Sequence, residues 1–342
     1  MRFMFVLLTN SLSAHQLPLA REVVARVGAA NFRYFYTEQA LQGGKQEVAA
    51  QEPWIELIPA DGLETDERVL QAEALLVGGL RPLALIQRRL EAGRRTLYMT
   101  ERWFKPIGVL GLLLPGWLRL FHPGYGRMAR KFAKLFASSA YRFLPIGPWA
   151  LVDMRLICRV FGVKMPESQI ASWGYFVSPS SVWANCPRPV FRPAPAVSLR
   201  VLWVGRQLSW KRVDTIRRAV ALLEAEGVAI KFDVFSNLTL SQVREEMRRH
   251  DVYVLASDAR EGWGAALSEA MEEGVICLGT DEAGASAALL PATHRFRAGD
   301  ARRLADLLRA CAEGRLGRVE LSQAYTAKGA AERLLALVAS DE

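Results

Sequence analysis

The strongest constraint on the fold is a regular alternation in the C-terminal half of this 342-residue chain. Short, fully apolar runs that predict buried strands alternate with amphipathic segments that predict helices. The predicted strands are Leu199–Val204, Ile230–Phe235, Val252–Leu255 and Val275–Leu278, and the predicted helices are Val213–Glu226, Ser241–Arg249 and Ala265–Glu273. Such βαβ units predict a parallel sheet covered by helices on both faces. Ligands bind at the carboxyl ends of such strands, so we expect the functional loops there.

The N-terminal half is less regular, and it predicts a second α/β domain. Its predicted strands are Phe3–Leu8, Ala74–Val77 and Arg95–Thr100, and its predicted helices are Leu17–Val27 and Pro82–Glu91. Between Ser178 and Ser198 stand five prolines, which exclude a helix or a central strand. We therefore predict an N-terminal domain over residues 1–180, a proline-rich linker over 181–198 and a C-terminal domain over 199–342. The last helix of the chain can pack back on the N-terminal domain.

Composition and charge narrow the classes of partner. The net charge of +9 indicates attraction to anions. Aromatic and basic residues do not combine in a nucleic-acid recognition motif, so we predict no nucleic-acid partner. The four cysteines stand far apart and the four histidines are scattered, which predicts reduced thiols, no metal site and a cytoplasmic location. The initial apolar run is shorter than that of a signal peptide, and Ile107–Leu118 is too short to span a bilayer.

Two cations follow the first strand of the C-terminal half. Gly205 lets the chain turn where a β-carbon would crowd a ligand. Arg206 and Lys211 come next, at the expected ligand-binding edge of the sheet. Two cations at that edge can neutralise a diphosphate leaving group. The alternative is that both are ordinary surface residues.

Glycines and acids follow a later strand, in the segment from Ala256 to Gly274. Gly262 and Gly264 stand where a helix is predicted to begin, so their amides can face a phosphate. Glu269 lies about a turn and a half into that helix, where its carboxylate can accept hydrogen bonds from ribose hydroxyls. Glu261, nearer the tip of the loop, can reach a sugar. The alternative is a solvated helix that carries ordinary acids.

The order and spacing of these residues resemble a known family. Gly-Arg-x4-Lys after the first strand, followed by Glu-Gly-Trp-Gly-x4-Glu-Ala-Met-x2-Gly after a later one, is similar to the retaining family-4 glycosyltransferases of the GT-B fold. Within that family the chain resembles the bacterial polysaccharide and lipopolysaccharide enzymes. The segments beginning at Thr280 and Phe296 resemble the next donor loop and the closing segment of the family. The resemblance covers roughly residues 199–312 and is faint in the N-terminal half.

The resemblance implies an α/β, GT-B architecture in which two Rossmann-like parallel-sheet domains face a central cleft. It implies a nucleotide-sugar donor in the C-terminal domain and transfer with retention of configuration, without a metal or any other cofactor. The absence of an Asp-x-Asp motif agrees with this. The implied donor-binding residues are Gly205, Arg206, Lys211, Glu261, Gly262, Trp263, Gly264 and Glu269. The implied catalytic residues are Glu261, Arg206 and Lys211, together with Glu101.

The acceptor, a glycan or a lipid-linked glycan, is expected to bind the N-terminal domain. Glu101 stands where many relatives carry a histidine, and we predict that it contacts the acceptor. Asn10 and Ser11 replace the usual glycine-rich first loop and are predicted on the acceptor side. His15 is either an acceptor contact or a helix N-terminal residue that bonds the backbone. Because Phe235 leads almost directly to the helix at Ser241, part of the usual pocket for the base is missing.

Two alternative functions stay open at this point. One is a GT-B nucleotide-sugar epimerase, which would need acid and base residues in addition to Arg206 and Lys211. The other is a non-catalytic, glycosyltransferase-like partner protein, which the shortened base pocket and the missing histidine favour.

One segment suggests a membrane partner. From Trp103 to Arg142 there are seven basic residues and no acid. On a helix, Met128, Phe132 and Phe136 would form an apolar face and Arg130 with Lys134 a basic one. Such a helix can lie on an anionic membrane, which would place the enzyme peripherally on the inner leaflet of the cytoplasmic membrane. The alternative is a domain helix whose apolar face lies in the core.

Overall fold

The computed structural model describes residues 4–37, 52–106, 118, 122–179 and 198–339. The chain divides into two compact units, Met1–Phe176 with Gln323–Glu342, and Val177–Ser322. The predicted linker, apart from Ser198, lies outside the described residues. Nearly all of the apolar stretch Ile107–Leu118 does so as well.

The first unit is built on a six-stranded sheet in which every strand pair is parallel. The strands are β1 (Phe5–Thr9), β2 (Phe32–Tyr36), β3 (Ile55–Leu57), β4 (Ala74–Gly78), β5 (Arg95–Thr100) and β6 (Tyr141–Pro145). Their order across the sheet is β3-β2-β1-β4-β5-β6. Every residue of β1 and β4 is buried, as expected for central strands that are covered on both faces.

In the described part of the first unit, five helices precede the proline-rich segment. They are α1 (Leu17–Val27), α2 (Glu67–Gln71), α3 (Leu83–Glu91), α4 (Pro123–Phe136) and α5 (Pro148–Phe161). Buried side chains of α3, α4 and α5 share one apolar core with Val6 of β1 and Leu75 of β4. The loop that follows β5 is fixed from below by Asp153 of α5, whose Oδ2 accepts hydrogen bonds from the amides of Trp103 (2.7 Å) and Phe104 (2.9 Å).

The second unit contains a five-stranded sheet, which is also parallel throughout. Its strands are β7 (Leu199–Val204), β8 (Ile230–Phe235), β9 (Val252–Leu255), β10 (Ile276–Thr280) and β11 (Arg295–Phe296), in the order β11-β10-β9-β7-β8. Its helices are α6 (Val213–Ala225), α7 (Leu240–Arg249), α8 (Ala265–Glu272), α9 (Gly284–Leu289) and α10 (Ala301–Ala312). Helices α6 and α10 contact each other and share an apolar core with β7, β9 and β10.

The connection from β8 to α7 is short, as the sequence indicated. Strand β8 ends at Phe235, and α7 begins at Leu240 after the N-cap residue Thr239. The side chain of Gln242 accepts a hydrogen bond from the amide of Thr239, at 2.9 Å, which completes a capping box. No further strand or helix is inserted between Phe235 and Leu240, all of which are described.

The final helix, α11 (Ala327–Ala339), belongs to the first unit and contacts α1. Arg26 of α1 pairs with Glu332 at 3.3 Å. Arg95, at the start of β5, donates a hydrogen bond to the carbonyl oxygen of Leu337 at 3.2 Å. These contacts join the end of the chain to the first sheet.

The structure corrects the interpretation of the basic segment from Trp103 to Arg142. Helix α4 has the predicted apolar face, but Phe132 and Phe136 are buried in the core of the first unit, so this face is not available to lipid. Arg142 is not on the surface either, because it lies in β6 and donates to the carbonyl oxygen of Tyr141 at 3.1 Å. Lys105 pairs with Glu101. The exposed basic residues of α4 are Arg127, Arg130, Lys131 and Lys134.

No helix within the described ranges combines the length and the apolar character that a transmembrane span requires.

Candidate functional site

The first predicted donor loop follows β7 at the carboxyl edge of the second sheet. Gly205 has φ of 152°, which L-residues rarely adopt, so the sharp turn after the strand favours glycine. Arg206 follows with an exposed side chain. Lys211 ends a single 3₁₀ turn, Ser209–Lys211, immediately before α6. Both cations therefore lie on the loop where a parallel sheet presents residues to a ligand.

Lys211 and Glu261 meet in an ion pair that joins the loops after β7 and β9. Only 19% of the Lys211 side chain and 14% of the Glu261 side chain are exposed to solvent. Ser257 Oγ donates a second hydrogen bond to Glu261 Oε2 at 3.0 Å. An ammonium group has three hydrogens, so Lys211 can keep this pair and still donate to a phosphate. The structure thus brings together two of the three residues that the sequence predicted as catalytic in this unit.

Glycines near Trp263 allow the loop to pack closely against its neighbours. Gly264 has φ of 94°, and a Cβ there would lie 2.6 Å from Leu255 Cδ2. A Cβ on Gly284, the first residue of α9, would lie 2.2 Å from the carbonyl oxygen of Gly262. The side chain of Trp263 is fully buried and its Nε1 donates to Ser268 at 3.3 Å. Trp263 therefore supports the loop from below, and only its backbone can face a donor.

Glu269 lies in α8 and is 5% exposed. The pKa of its carboxyl is raised from 4.5 to about 7, mainly because the group is buried; Arg244 opposes this rise and the nearby Glu273 adds to it. Glu273 is itself held by Arg244 and Arg248, at 3.3 and 2.9 Å. Since the carboxyl group titrates near neutral pH, its capacity to accept hydrogen bonds from ribose hydroxyls changes in the same range.

We expect the affinity for a nucleotide-sugar to rise about tenfold between about pH 6 and about pH 8, because Glu269 with a pKa of about 7 changes from mostly protonated to mostly ionised. Only the ionised carboxylate accepts hydrogen bonds from both ribose hydroxyls. Glu269→Gln, which does not titrate, should bind weakly and equally at both values. Calorimetric titration of both proteins with a nucleotide-sugar measures this. An identical pH dependence in the variant would contradict the assignment of Glu269 to the ribose.

Ionisation of Glu269, which should strengthen donor binding, should also lower the stability of the unligated protein. A carboxyl group whose pKa is raised on folding destabilises the folded state as pH rises through the interval from 4.5 to about 7. The full interval corresponds to about 3 kcal/mol, so Glu269→Gln should increase the free energy of unfolding by about 1–3 kcal/mol at about pH 8. Urea denaturation at about pH 5 serves as the control, because the difference from wild type should be small there.

In the first unit, Glu101 follows β5, and donors hold both of its carboxylate oxygens. Lys105 Nζ lies 2.9 Å from Oε2, and the Tyr175 hydroxyl donates to Oε1 at 3.1 Å. The ring of His15 stacks on that of Tyr175, with 5.7 Å between their centroids and 18° between their planes. The backbone carbonyl of His15 accepts a hydrogen bond from Phe176. His15 thus supports Tyr175, which in turn holds Glu101.

A cavity of about 340 Å³ opens beside Glu101 at the carboxyl edge of the first sheet. Asn10 and Ser11, which follow β1, also line this cavity. The structure therefore brings together Asn10, Ser11 and Glu101, three of the residues predicted on the acceptor side. Sequence analysis did not single out Gln16, Arg81 or Tyr175, which line the same cavity. The first two stand just after β1 and β4 and could have been found from the rule that ligands bind at carboxyl ends. Tyr175 follows no predicted strand and gave no signal.

Residues 217–326 match the family of glycosyl transferases group 1, a segment that contains Glu261, Gly262, Trp263, Gly264 and Glu269 but covers less than half of the chain. No curated protein sequence matches the chain.

Several solved structures resemble this one over nearly its whole length. HepE of Anabaena in complex with UDP is 13% identical, with a TM-score of 0.58 over 98% of this chain and 97% of its own. An α,α-trehalose-phosphate synthase (UDP-forming) of Burkholderia vietnamiensis is 11% identical, with a TM-score of 0.59 over 99% and 94%. A glycosyltransferase of Rickettsia africae is 12% identical, with a TM-score of 0.57 over 99% and 94%. The fold is GT-B.

The two parallel sheets with their flanking helices agree with this GT-B assignment, as the sequence predicted. Together with the match to glycosyl transferases group 1, the fold supports a GT-B glycosyltransferase. HepE has also been solved with UDP-glucose. The GT-B neighbours thus include proteins that bind a nucleotide or a nucleotide-sugar.

Proposed function

We propose that this protein transfers a sugar from a nucleotide-sugar to a glycan or lipid-linked acceptor, with retention of configuration. The observation that carries the proposal is the group formed by Lys211, Glu261 and Ser257 at the carboxyl edge of the second sheet, with Glu269 on the helix that follows. It combines a cation and an acid in loops that follow parallel strands with a buried carboxyl group on the adjoining helix. The binding of UDP-glucose by HepE supports a donor of the same chemical class.

The proposal gives a role to each residue of this group and to Arg206. Arg206 and Lys211 hold the diphosphate and stabilise the negative charge that grows on it as the bond to the sugar breaks. The amides of residues 262–264 add hydrogen bonds to the same anion. Glu269 accepts hydrogen bonds from the ribose, and Glu261 contacts the sugar that is transferred. Ser257 and Lys211 keep the carboxylate of Glu261 in place.

The first unit supplies the acceptor side of the proposal. Glu101 lines the cavity with both oxygens held in place, and Asn10 with Ser11 lies on the same rim. A carboxylate fixed in this way can orient an acceptor hydroxyl for attack. His15 contributes through Tyr175 rather than by lining the cavity itself.

Thermal shift with a panel of nucleotide-sugars tests the donor assignment. UDP-glucose, GDP-mannose and ADP-glucose differ in base and sugar, and the cognate donor should raise the melting temperature progressively as its concentration exceeds the dissociation constant. A positive result also argues against a non-catalytic partner that has lost its donor site. Release of free nucleoside diphosphate then separates a transferase from an epimerase, which returns the nucleotide attached to sugar. No shift with any member of the panel would contradict the proposal.

We also expect transfer to survive removal of divalent metal ions, because Arg206 and Lys211 supply the positive charge that a metal would otherwise provide. Turnover measured with excess EDTA should equal turnover in untreated enzyme. Addition of Mg²⁺ or Mn²⁺ after chelation is the control. Activity that disappears with EDTA and returns with either ion would contradict this part of the proposal.

The exposed basic residues of α4 support a peripheral place at an anionic membrane surface, where lipid-linked acceptors would be found. Because the apolar face of α4 is buried, attachment would depend on charge alone. Each cation near such a surface contributes about 1 kcal/mol. Peripheral attachment of a cytoplasmic enzyme by this surface would therefore be sensitive to salt.

Vesicle flotation tests this attachment. We expect the protein to float with vesicles that contain phosphatidylserine, to stay behind with phosphatidylcholine alone, and to dissociate in high salt. Changing Arg130, Lys131 and Lys134 to Glu should lower the partition coefficient onto these vesicles at least about 100-fold, since three contributions of about 1 kcal/mol are lost. Arg155→Glu and Arg159→Glu, exposed basic positions on α5, are the matched controls. Equal recovery of all proteins in every condition would contradict the membrane proposal.

A further inference from the structure

The cavity beside Glu101 has a charge pattern that the donor chemistry does not use. Three cations, Arg81, Arg102 and Lys105, line it, and Glu101 is the only acid among the described residues that do so. Lys105 and Glu101 form an ion pair with each other. Among the described residues that line the cavity, cations thus outnumber acids by three to one, which favours an anionic ligand.

The two arginines lie near different aromatic residues. Arg81 is exposed and immediately precedes the N-terminus of α3. It lies near Tyr98: the pKa of the Tyr98 hydroxyl is raised to about 12, mainly by burial, and Arg81 opposes this rise. Arg102 follows Glu101, with its guanidinium carbon 5.9 Å from the centre of the Trp149 ring. Helices α1 and α3 both begin at this edge, and the partial positive charge of their N-termini adds to that of the arginines.

A buried amide in the same cavity has an oxygen without a hydrogen-bond partner. Gln16 is 3% exposed and lines the cavity; its Nε2 lies 3.6 Å from Met99 Sδ, and its Oε1 has no hydrogen-bond partner. An unpaired buried polar atom is costly, and the cost is removed when a ligand supplies the missing partner. Whichever way the amide is turned, one of its ends can bond a sugar hydroxyl.

We propose that this cavity binds a sugar that carries an anionic group, either a phosphate or a carboxylate. Arg81 and Arg102 hold the anion, and Gln16 with Glu101 binds the hydroxyls of the ring. That this sugar is the acceptor rests on the proposed function, whereas its binding to the cavity does not. The proposal follows from two guanidinium groups, a buried amide whose oxygen has no partner and a fixed carboxylate, all of which line one cavity.

Calorimetric titration without donor tests the proposal, with glucose 6-phosphate, glucuronate and methyl glucoside as probes. We expect at least one of the two charged sugars to bind about tenfold or more tightly than the neutral one, as charge-assisted hydrogen bonds require. The better of the two identifies phosphate or carboxylate as the anion. Arg81→Gln and Arg102→Gln should each abolish most of the preference for a charged sugar. Gln16→Leu should instead lower the affinity for all three sugars by a similar factor.

Arg159→Gln is the matched control, because Arg159 is an exposed arginine of the first unit that does not line the cavity. Its affinity for the charged sugar should equal that of wild type. Arg81→Lys, which keeps the charge, should recover part of the preference that Arg81→Gln loses. Melting curves of every variant show whether the unit is folded, and because Arg81 is exposed its substitution should leave the melting temperature unchanged.

Two results would overturn the proposal. One is equal affinity for the neutral and both charged sugars in wild type. The other is an Arg81→Gln variant that keeps its preference for charged sugars and instead loses affinity for UDP, which would assign this arginine to the donor. Failure of the proposed function is seen separately, because it would abolish UDP-glucose binding and leave the binding of the charged sugar intact.

Discussion

Lys211→Ala lowers the turnover number by about 10²–10³-fold, the effect expected when one fixed charge that stabilises the transition state is removed. The ammonium of Lys211 lies in the loop beside Glu261 and is largely shielded from water, so its interaction with a departing diphosphate is stronger than it would be in solution. The effect should fall on turnover more than on donor affinity, since the diphosphate gains charge as the bond to the sugar breaks. Release of nucleoside diphosphate measures it.

The control for this prediction is Arg217→Ala, which removes an exposed cation from α6 in the same unit. Its turnover should stay within about a factor of two of wild type, because exposed charges away from a site contribute little. Lys211→Arg should recover part of the lost rate. If Lys211→Ala and Arg217→Ala have equal rates, the leaving group is not held by Lys211.

Gly284→Ala is expected to disrupt the donor site without touching any side chain in it. The new Cβ would lie 2.2 Å from the carbonyl oxygen of Gly262 and 3.2 Å from its carbonyl carbon, and backbone atoms cannot move aside as a flexible side chain can. Either α9 or the loop over residues 262–264 must shift, at a cost of about 1–3 kcal/mol. Donor affinity should fall about tenfold or more, because amides that face a phosphate act only in a narrow geometry.

Gly317→Ala provides the matched control in the same unit. A Cβ at Gly317 meets no atom within 4 Å, and the residue does not have a positive φ. Its melting temperature and donor affinity should equal those of wild type. Calorimetric titration with the donor and thermal denaturation measure both variants. Wild-type donor affinity in Gly284→Ala would show that the loop at Gly262 takes no part in binding.

The second unit was predictable because its sequence signals agree with one another. Fully apolar strands such as Val252–Leu255 are separated by helices with a clear apolar face, and glycine stands at the turns. The predicted bounds of β7, β8 and β9 match those observed, and the bounds of the three predicted helices agree with those of α6, α7 and α8 within one residue. The ion pair between Lys211 and Glu261 could not be predicted, since it depends on how two loops from non-adjacent parts of the chain meet in space.

The first unit was harder to predict from its sequence. Strand β2 contains Arg33 within a run of aromatic residues, and β6 contains Arg142, so neither has the uniform apolar character of a buried strand. Arg142 is buried because its guanidinium donates to carbonyl oxygens nearby, which no periodic pattern reveals. Likewise, the amphipathic pattern of α4 is the same whether its apolar face meets a core or a membrane. Only the packing of Phe132 distinguishes the two.

The central claim is that the loops after β7 and β9 bind a nucleotide-sugar and promote departure of its diphosphate. The most direct test follows the slow hydrolysis of UDP-glucose, GDP-mannose and ADP-glucose by ³¹P NMR, with wild type and with a variant that combines Arg206→Ala and Lys211→Ala. We expect wild type to release nucleoside diphosphate catalytically from at least one donor, and the double variant to release none. Equal release by both proteins from every donor, or none from any, would contradict it.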